Sequence, residues 1–168
     1  SASDTVMITV TGTNDVASIT GNLAGDVKED DVLVATGNVV VSDIDTGEAE
    51  AQADAGNAQY GSYTVGTNGD WTYTLANTLT AVQELGAGDI LVDSFDVTSA
   101  DGTATETVQV TVTGTNDVAS ISGDLGGNVQ EDSLTATSGT VIVSDVDAGE
   151  AEAQADAGNA QYLSLIHI

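Results

Sequence analysis

Two aspartates one residue apart, Asp43-Ile44-Asp45, lie between a valine-rich run and Gly47. On a loop, both carboxylates can project toward one point. Asn14 and Asp15, on the segment ahead of the first strand, and Asp101, on a tight turn, are expected to converge with them. A second group is expected farther along the chain, drawn from Glu29, Asp30, Asn116, Asp117, Asp145 and Asp147. Carboxylates a few ångströms apart destabilise one another unless a cation sits among them. The chain cannot supply that cation itself: Lys+Arg is 1 (Lys28) against 27 Asp+Glu, a formal charge of −26. Ca²⁺ fits the need, because it takes roughly six to eight hard oxygen ligands in flexible geometry. Two other calcium patterns are absent. An EF-hand loop wants Asp or Asn at its fifth position and Gly at its sixth, where the stretch from Asp43 has Gly47 and Glu48. The glycine-rich nonapeptide of calcium-binding β-helices does not occur.

Catalytic chemistry finds little to work with. The single histidine, His167, is near the end of the chain, there is no cysteine, and Lys28 stands alone. Ser/His/Asp chemistry and histidine-bearing metal sites therefore lack their parts. Two carboxylates can serve a glycosidase, but any pair among 27 acids would be an arbitrary choice. The expectation is that the protein is not an enzyme.

The charge also limits partners. Phosphate binding needs clustered Lys and Arg, so neither nucleic acid nor an anionic membrane surface is an expected partner. No apolar stretch approaches the length of a membrane span, and direct membrane insertion is not expected. Without cysteine there is no disulfide framework.

The elements that must position these acids read as strands, being runs of Val, Thr and aromatics bounded by Gly, Asn and Asp. In residues 16 to 117 the pattern predicts seven. The first covers Val16–Thr20, resuming at Val27–Glu29, and the second Gly37–Ser42. A weak third lies in Glu48–Ala53, followed by Gln59–Val65, Trp71–Leu75, Leu91–Ser99 and Thr103–Thr113. A turn at Thr67-Asn-Gly-Asp70 joins the fourth and fifth into a hairpin. Asn77–Asp89 reads as a connection with one helical turn. Trp71 and Tyr73, on either side of Thr72, are expected on opposite faces of their sheet, with Trp71 in the core. Seven strands in about a hundred residues point to an all-β, immunoglobulin-like sandwich. Strand parity then places Asn14-Asp15, Asp43–Gly47, Asn68–Asp70 and Asp101-Gly102 at the leading end. Glu29–Asp31, Asn77–Asp89 and Asn116-Asp117 fall at the trailing end.

The chain also repeats itself. Val10-Thr-Gly-Thr-Asn-Asp15-Val-Ala-Ser-Ile19 recurs as Val112 to Ile121, a period of 102 residues (117 − 15). The run Ala49–Tyr60 is identical to Ala151–Tyr162, which indicates recent duplication, so identity between the copies does not mark functional residues. The phase of the repeat gives the expected organisation. Residues 1–15 are the end of a preceding repeat (last strand and linker), 16–117 a complete repeat, and 118–162 a truncated second one. Residues 163–168 run out of register and read as an artefactual tail. The linker Thr113-Gly-Thr-Asn-Asp117, with Gly114 as its flexible point and little apolar surface, is not expected to fix the angle between units by packing.

Four motifs occur in order: Val39-Val-Val-Ser-Asp-Ile-Asp45, Gly69-Asp-Trp-Thr-Tyr-Thr-Leu75, Val82-Gln-Glu-Leu-Gly-Ala-Gly88 and Val110-Thr-Val-Thr-Gly-Thr-Asn-Asp117. Together they resemble the VCBS repeat of very large bacterial surface and secreted proteins, including adhesins of the RTX type. The resemblance covers residues 1 to 162. It implies a cadherin-like or immunoglobulin-like β-sandwich in tandem repeats, neighbouring repeats of the same chain as partners, and an extracellular place on the bacterial cell surface in adhesion or biofilm formation. The Asp-x-Asp loop and the Asn-Asp linker look like the calcium ligands of cadherins, although Thr-Gly-Thr-Asn-Asp is poorer in acids than the cadherin linker. The expected function is a structural extender stiffened by Ca²⁺ at its junctions. Two alternatives stand beside it: a repeat that itself binds a glycan or partner repeat, and an accessory domain of a secreted carbohydrate-active enzyme. Scarce aromatics (4%) favour the extender.

Overall fold

The structure, a computed structural model, describes residues 3–133, 136–155 and 157. The strands are β1 (Ser18–Gly21), β2 (Ala24–Lys28), β3 (Val34–Ser42), β4 (Asp54–Asn57), β5 (Gly61–Val65) and β6 (Asp70–Leu75). A single helical turn, α1 (Thr80–Gln83), precedes β7 (Ile90–Thr98) and β8 (Thr105–Thr113). Beyond them come β9 (Ser120–Gly123) and β10 (Val141–Ser144).

Two sheets form the sandwich, one ordered β1-β3-β6-β5-β4 and the other β2-β8-β7. Alternation of apolar and polar residues puts one face of each sheet inside. β3 buries Ala35, Val39 and Val41, β6 buries Trp71, Tyr73 and Leu75, and β8 buries Val108, Val110 and Val112. The expectation that Trp71 and Tyr73 point to opposite faces is wrong. Residues two apart in a strand share a face, and these two are 1% and 0% exposed. Trp71 sits edge-on to Phe95, their ring centroids 5.8 Å apart, and its indole N–H donates to the Asn22 carbonyl at 2.8 Å. The tryptophan fits because its neighbours are small: a Cβ on Gly37 would come within 2.3 Å of the indole ring.

The first expected strand is two, because the chain changes sheets at Asn22-Leu23. β1 pairs antiparallel with β3, whereas β2 pairs parallel with β8, Ala24 opposite Gln109 through Lys28 opposite Thr113. The third expected strand is displaced, with β4 beginning at Asp54. Residues 50–52 instead cross between the sheets. Gln52 N–H donates to the Thr98 carbonyl at 2.9 Å, and Ala100 N–H to the Glu50 carbonyl at 2.8 Å. The hairpin turn is where the sequence put it. Gly69 has φ +81°, and a Cβ there would lie 2.0 Å from the Val39 carbonyl oxygen, so only glycine fits.

β7 is an edge strand, and a buried charge protects it. Asp93 is 4% exposed. One carboxylate oxygen accepts from Gln59 N–H (3.0 Å) and Ser94 N–H (2.9 Å), the other from Tyr60 N–H (2.8 Å) and the Tyr73 hydroxyl (2.7 Å). The β4–β5 turn of the first sheet is thereby tied to the second.

The expected strand in residues 1–15 is not formed among the described residues of that segment. Val6, Ile8 and Val10 are 84%, 83% and 88% exposed, whereas their counterparts one period on, Val108, Val110 and Val112, are fully buried. The difference is context: β8 lies between β2 and β7, and no strand among the described residues flanks residues 6–10. In the second repeat, β9 and β10 pair in the register of β1 and β3, Val141 opposite Gly123 as Val39 is opposite Gly21. Tyr162, His167 and the whole segment 163–168 lie outside the described residues.

Candidate metal sites

At the leading end, the loop after β3 and the turn between β7 and β8 bring carboxylates together. Oxygens of Asp43, Glu48 and Asp101 lie within 4.8 Å of one another. The Asp-x-Asp loop holds its own shape: Asp45 N–H donates to Asp43 at 2.8 Å, and Asp15 N–H donates to Asp45 at 2.8 Å. The Asn14 amide donates to Asp101 at 3.0 Å. Asn14, Asp15 and Asp45 thus border the three-oxygen group through hydrogen bonds.

The trailing end repeats the plan across the junction. Oxygens of Glu29, Asp30 and Asp117 lie within 4.8 Å of one another. Asp147 N–H donates to Asp145 and Asp117 N–H to Asp147, both at 2.9 Å. Asp147 therefore borders the group from the following repeat, and Asp145 stands behind it. Asn116 does not; its amide turns back onto the Asp117 carbonyl. Glu29 is fully buried. Its carboxylate accepts from the Gln83 amide at 2.9 Å and from Thr115 N–H at 3.3 Å. Asp30, held at φ +55°, exchanges hydrogen bonds with the Asn77 amide.

The electrostatics record the crowding. Burial pushes the Glu29 carboxyl up, opposed by the Thr115 N–H and reinforced by Asp30, Asp117 and Asp147. Desolvation raises Glu48 too, with Asp45, Asp101 and Asp43 adding to it. Asp117 is raised by desolvation and by Asp147, Asp30 and Asp145. Asp101 goes the other way: hydrogen bonds from Ser99, Thr103 and Asn14 hold its carboxyl well below the usual carboxylate range.

Among the described residues, four buried carboxylate oxygens have no hydrogen-bond partner: Asp43 Oδ2, Glu48 Oε2, Asp117 Oδ2 and Asp147 Oδ1. A buried polar atom left unpaired costs on the order of 1–3 kcal/mol, and more when charged. Three belong to the two acidic groups and the fourth, on Asp147, borders one of them; either group could hold a metal ion. Hard oxygens and no sulfur or imidazole favour an alkaline-earth ion over a transition metal.

The sequence model of the bacterial cadherin-like domain matches residues 14–114. The chain belongs to that family. The matched stretch runs from Asn14 to Gly114 and holds β1 to β8; Asp117, Asp145 and Asp147 lie beyond it. Cadherin-like domains are structural and adhesive modules, and the bacterial ones are typically displayed outside the cell. No helix among the described residues is long and apolar enough to cross a membrane. Among curated proteins, none matches the chain.

Sequence reasoning missed Glu48, Gln83 and Asn77. Glu48 carried a usable signal, since it is an acid three residues after Asp45 on the same loop. Gln83 and Asn77 reach Glu29 and Asp30 only through the fold. The reading of Gly114 as a flexible point also needs correction. It is buried, and a Cβ there would lie 2.4–2.6 Å from Gly86 O, Leu85 O and Leu85 Cβ. Its glycine is required by close approach.

Proposed function

We propose that this cadherin-like module is a structural extender in the tandem array of a large bacterial cell-surface adhesin, resembling the VCBS repeats of RTX-type adhesins. Ca²⁺ at the junctions stiffens the array, which supports adhesion and biofilm formation. The observation that carries the reading is the pair of unpartnered buried oxygens on Asp117, which groups with Glu29 and Asp30, and on Asp147 of the following repeat, whose carboxylate accepts from Asp117 N–H. Glu29, Asp30, Asp117 and Asp147 would hold the ion at the trailing junction; Asp43, Glu48 and Asp101, bordered by Asp15 and Asp45, would hold it at the leading end. The ion supplies positive charge that the chain lacks and ties an upstream repeat, a linker and a downstream loop together. Weak binding, roughly 10⁻⁴ to 10⁻³ M, is the norm for extracellular modules.

Nothing favours the glycan-binding alternative. Trp71, Tyr73 and Phe95 are buried and Tyr60 and Tyr63 half-buried, so among the described residues no exposed aromatic platform awaits a sugar.

In a protein of several complete tandem units, added Ca²⁺ should raise both the maximum dimension in small-angle scattering and the melting temperature. A chelator should reverse both, and Asp117→Asn or Asp147→Asn at each junction should weaken the response about tenfold or more in Ca²⁺ concentration. If sodium at matched ionic strength gave the same stiffening, general screening would explain it, and the junction sites would be wrong.

A further inference from the structure

We propose that Glu84–Gly86, the loop directly after α1, is a receiving surface for the Asp-x-Asp-x-Gly-Glu loop of the following repeat, and that this seat works without any cation. The inference rests on the tandem-module reading but not on calcium.

Three observations converge on the loop. Ala148 N–H, inside the downstream loop, donates to the Glu84 carbonyl at 3.0 Å, a main-chain bond that crosses from one repeat to the next. Gly86 is buried, and a Cβ on it would meet Glu150 Oε1 at 3.1 Å and the Asp147 carboxyl at 3.8 Å. On the other side, Gly114 is packed against Leu85 and Gly86. The loop is therefore held by its own linker and lies against the incoming repeat.

The incoming loop is also preformed. Asp43–Glu48 has the same construction as Asp145–Glu150. Glu48 N–H donates to the Asp45 carbonyl and Glu150 N–H to the Asp147 carbonyl, both at 3.3 Å. Gly47 and Gly149 have φ of +89° and +83°. One copy is docked and the other is not, yet they keep one shape, so docking does not have to order the loop. Rigid surfaces bind with less entropic loss than flexible ones. The partner is thus a second copy of this repeat, presenting that loop with a small residue where Ala148 stands and glycine after it.

The two copies provide an internal control within the chain as it stands. Thr46 N–H is the counterpart of Ala148 N–H one period earlier. In the full chain with chelator present, amide exchange corrected for intrinsic rate should be about fivefold or more slower at Ala148 than at Thr46. Equal protection would overturn the proposal. Gly86→Val should bring Ala148 down to the Thr46 value while Val110 stays protected; an unchanged Ala148 would also overturn it. Should Gly86→Val unfold the sandwich, Ala148→Pro, outside the sandwich, removes the donor instead. It should shift the Glu84 carbonyl ¹³C resonance, and an unmoved resonance would count against the seat. Because chelator is present throughout, a failure to respond to Ca²⁺ would affect the proposed function and leave this result standing.

Discussion

Asp93→Ala should destabilise the sandwich by about 3 kcal/mol or more, a large share of the stability of an ordinary domain. The substitution strands three donors at once: the buried Tyr73 hydroxyl and the part-buried N–H groups of Gln59 and Tyr60. Each stranded donor costs about 1–3 kcal/mol, against a total stability for ordinary domains of about 5–15 kcal/mol. Asp93→Asn should cost less, because its carbonyl oxygen still accepts two of the bonds. Tyr73→Phe, which removes one donor together with its need, should cost least. Denaturant unfolding followed by Trp71 fluorescence would measure the series, and an Asp93→Ala protein as stable as the parent would show that the buried carboxylate is dispensable. The same contact pushes the Tyr73 hydroxyl far above its ordinary range, first by burial and then by the bond to Asp93, so it stays a donor at any pH at which the protein folds.

With metal removed, the melting temperature should rise as the pH is lowered from neutral to just above the ordinary carboxylate range, then fall in stronger acid. Glu29, Glu48 and Asp117 have folded-state carboxyls raised above their ordinary values. Between the ordinary and the raised value the folded protein holds more protons than the unfolded chain, so stability grows as pH drops through that window. Asp101 contributes in the opposite sense. Its carboxyl is depressed, so its contribution is present above the ordinary Asp value and is lost as pH falls toward the folded value. Ca²⁺ at neutral pH should flatten the first rise, since ion and proton neutralise the same oxygens. Melting curves in chelator across the acid range would test this, and a steady decline from neutral pH would contradict it.

Much of the fold was legible because its signals are local. Asn68-Gly69 specified the hairpin, Val108 to Thr113 specified a strand by alternation and Val39 to Val41 by its β-branched run, and Thr80–Gln83 fell where one helical turn was expected. What failed was non-local. Nothing local to Asn22-Leu23 says that the chain there leaves one sheet for the other, or that residues 50–52 bridge the two. Asp93 was hidden by its type, yet Asp93, Phe95 and Val97 share a face by parity, and that face is buried.

The acidic groups were legible as composition before they were legible as places. A chain with 27 acids and one basic residue cannot pair its carboxylates wherever its loops converge, and the period of the repeat located the Asp-x-Asp loops and the Asn-Asp linkers. The amides of Gln83 and Asn77 lie about fifty residues in sequence from the carboxylates they hold, which no spacing rule covers.

The parallel pairing of β2 with β8 has a mechanical consequence. A pull along an array enters a unit near residue 16 and leaves at Thr113, so it drags β2 and β8 past each other lengthwise. Five residue pairs, from Ala24–Gln109 to Lys28–Thr113, then bear the load together in shear. Hairpin strands peeled from one end would instead lose their bonds one at a time. A unit built this way should yield abruptly at high force when a single chain is stretched, and a surface tether made of many such units would hold its length until one of them gives.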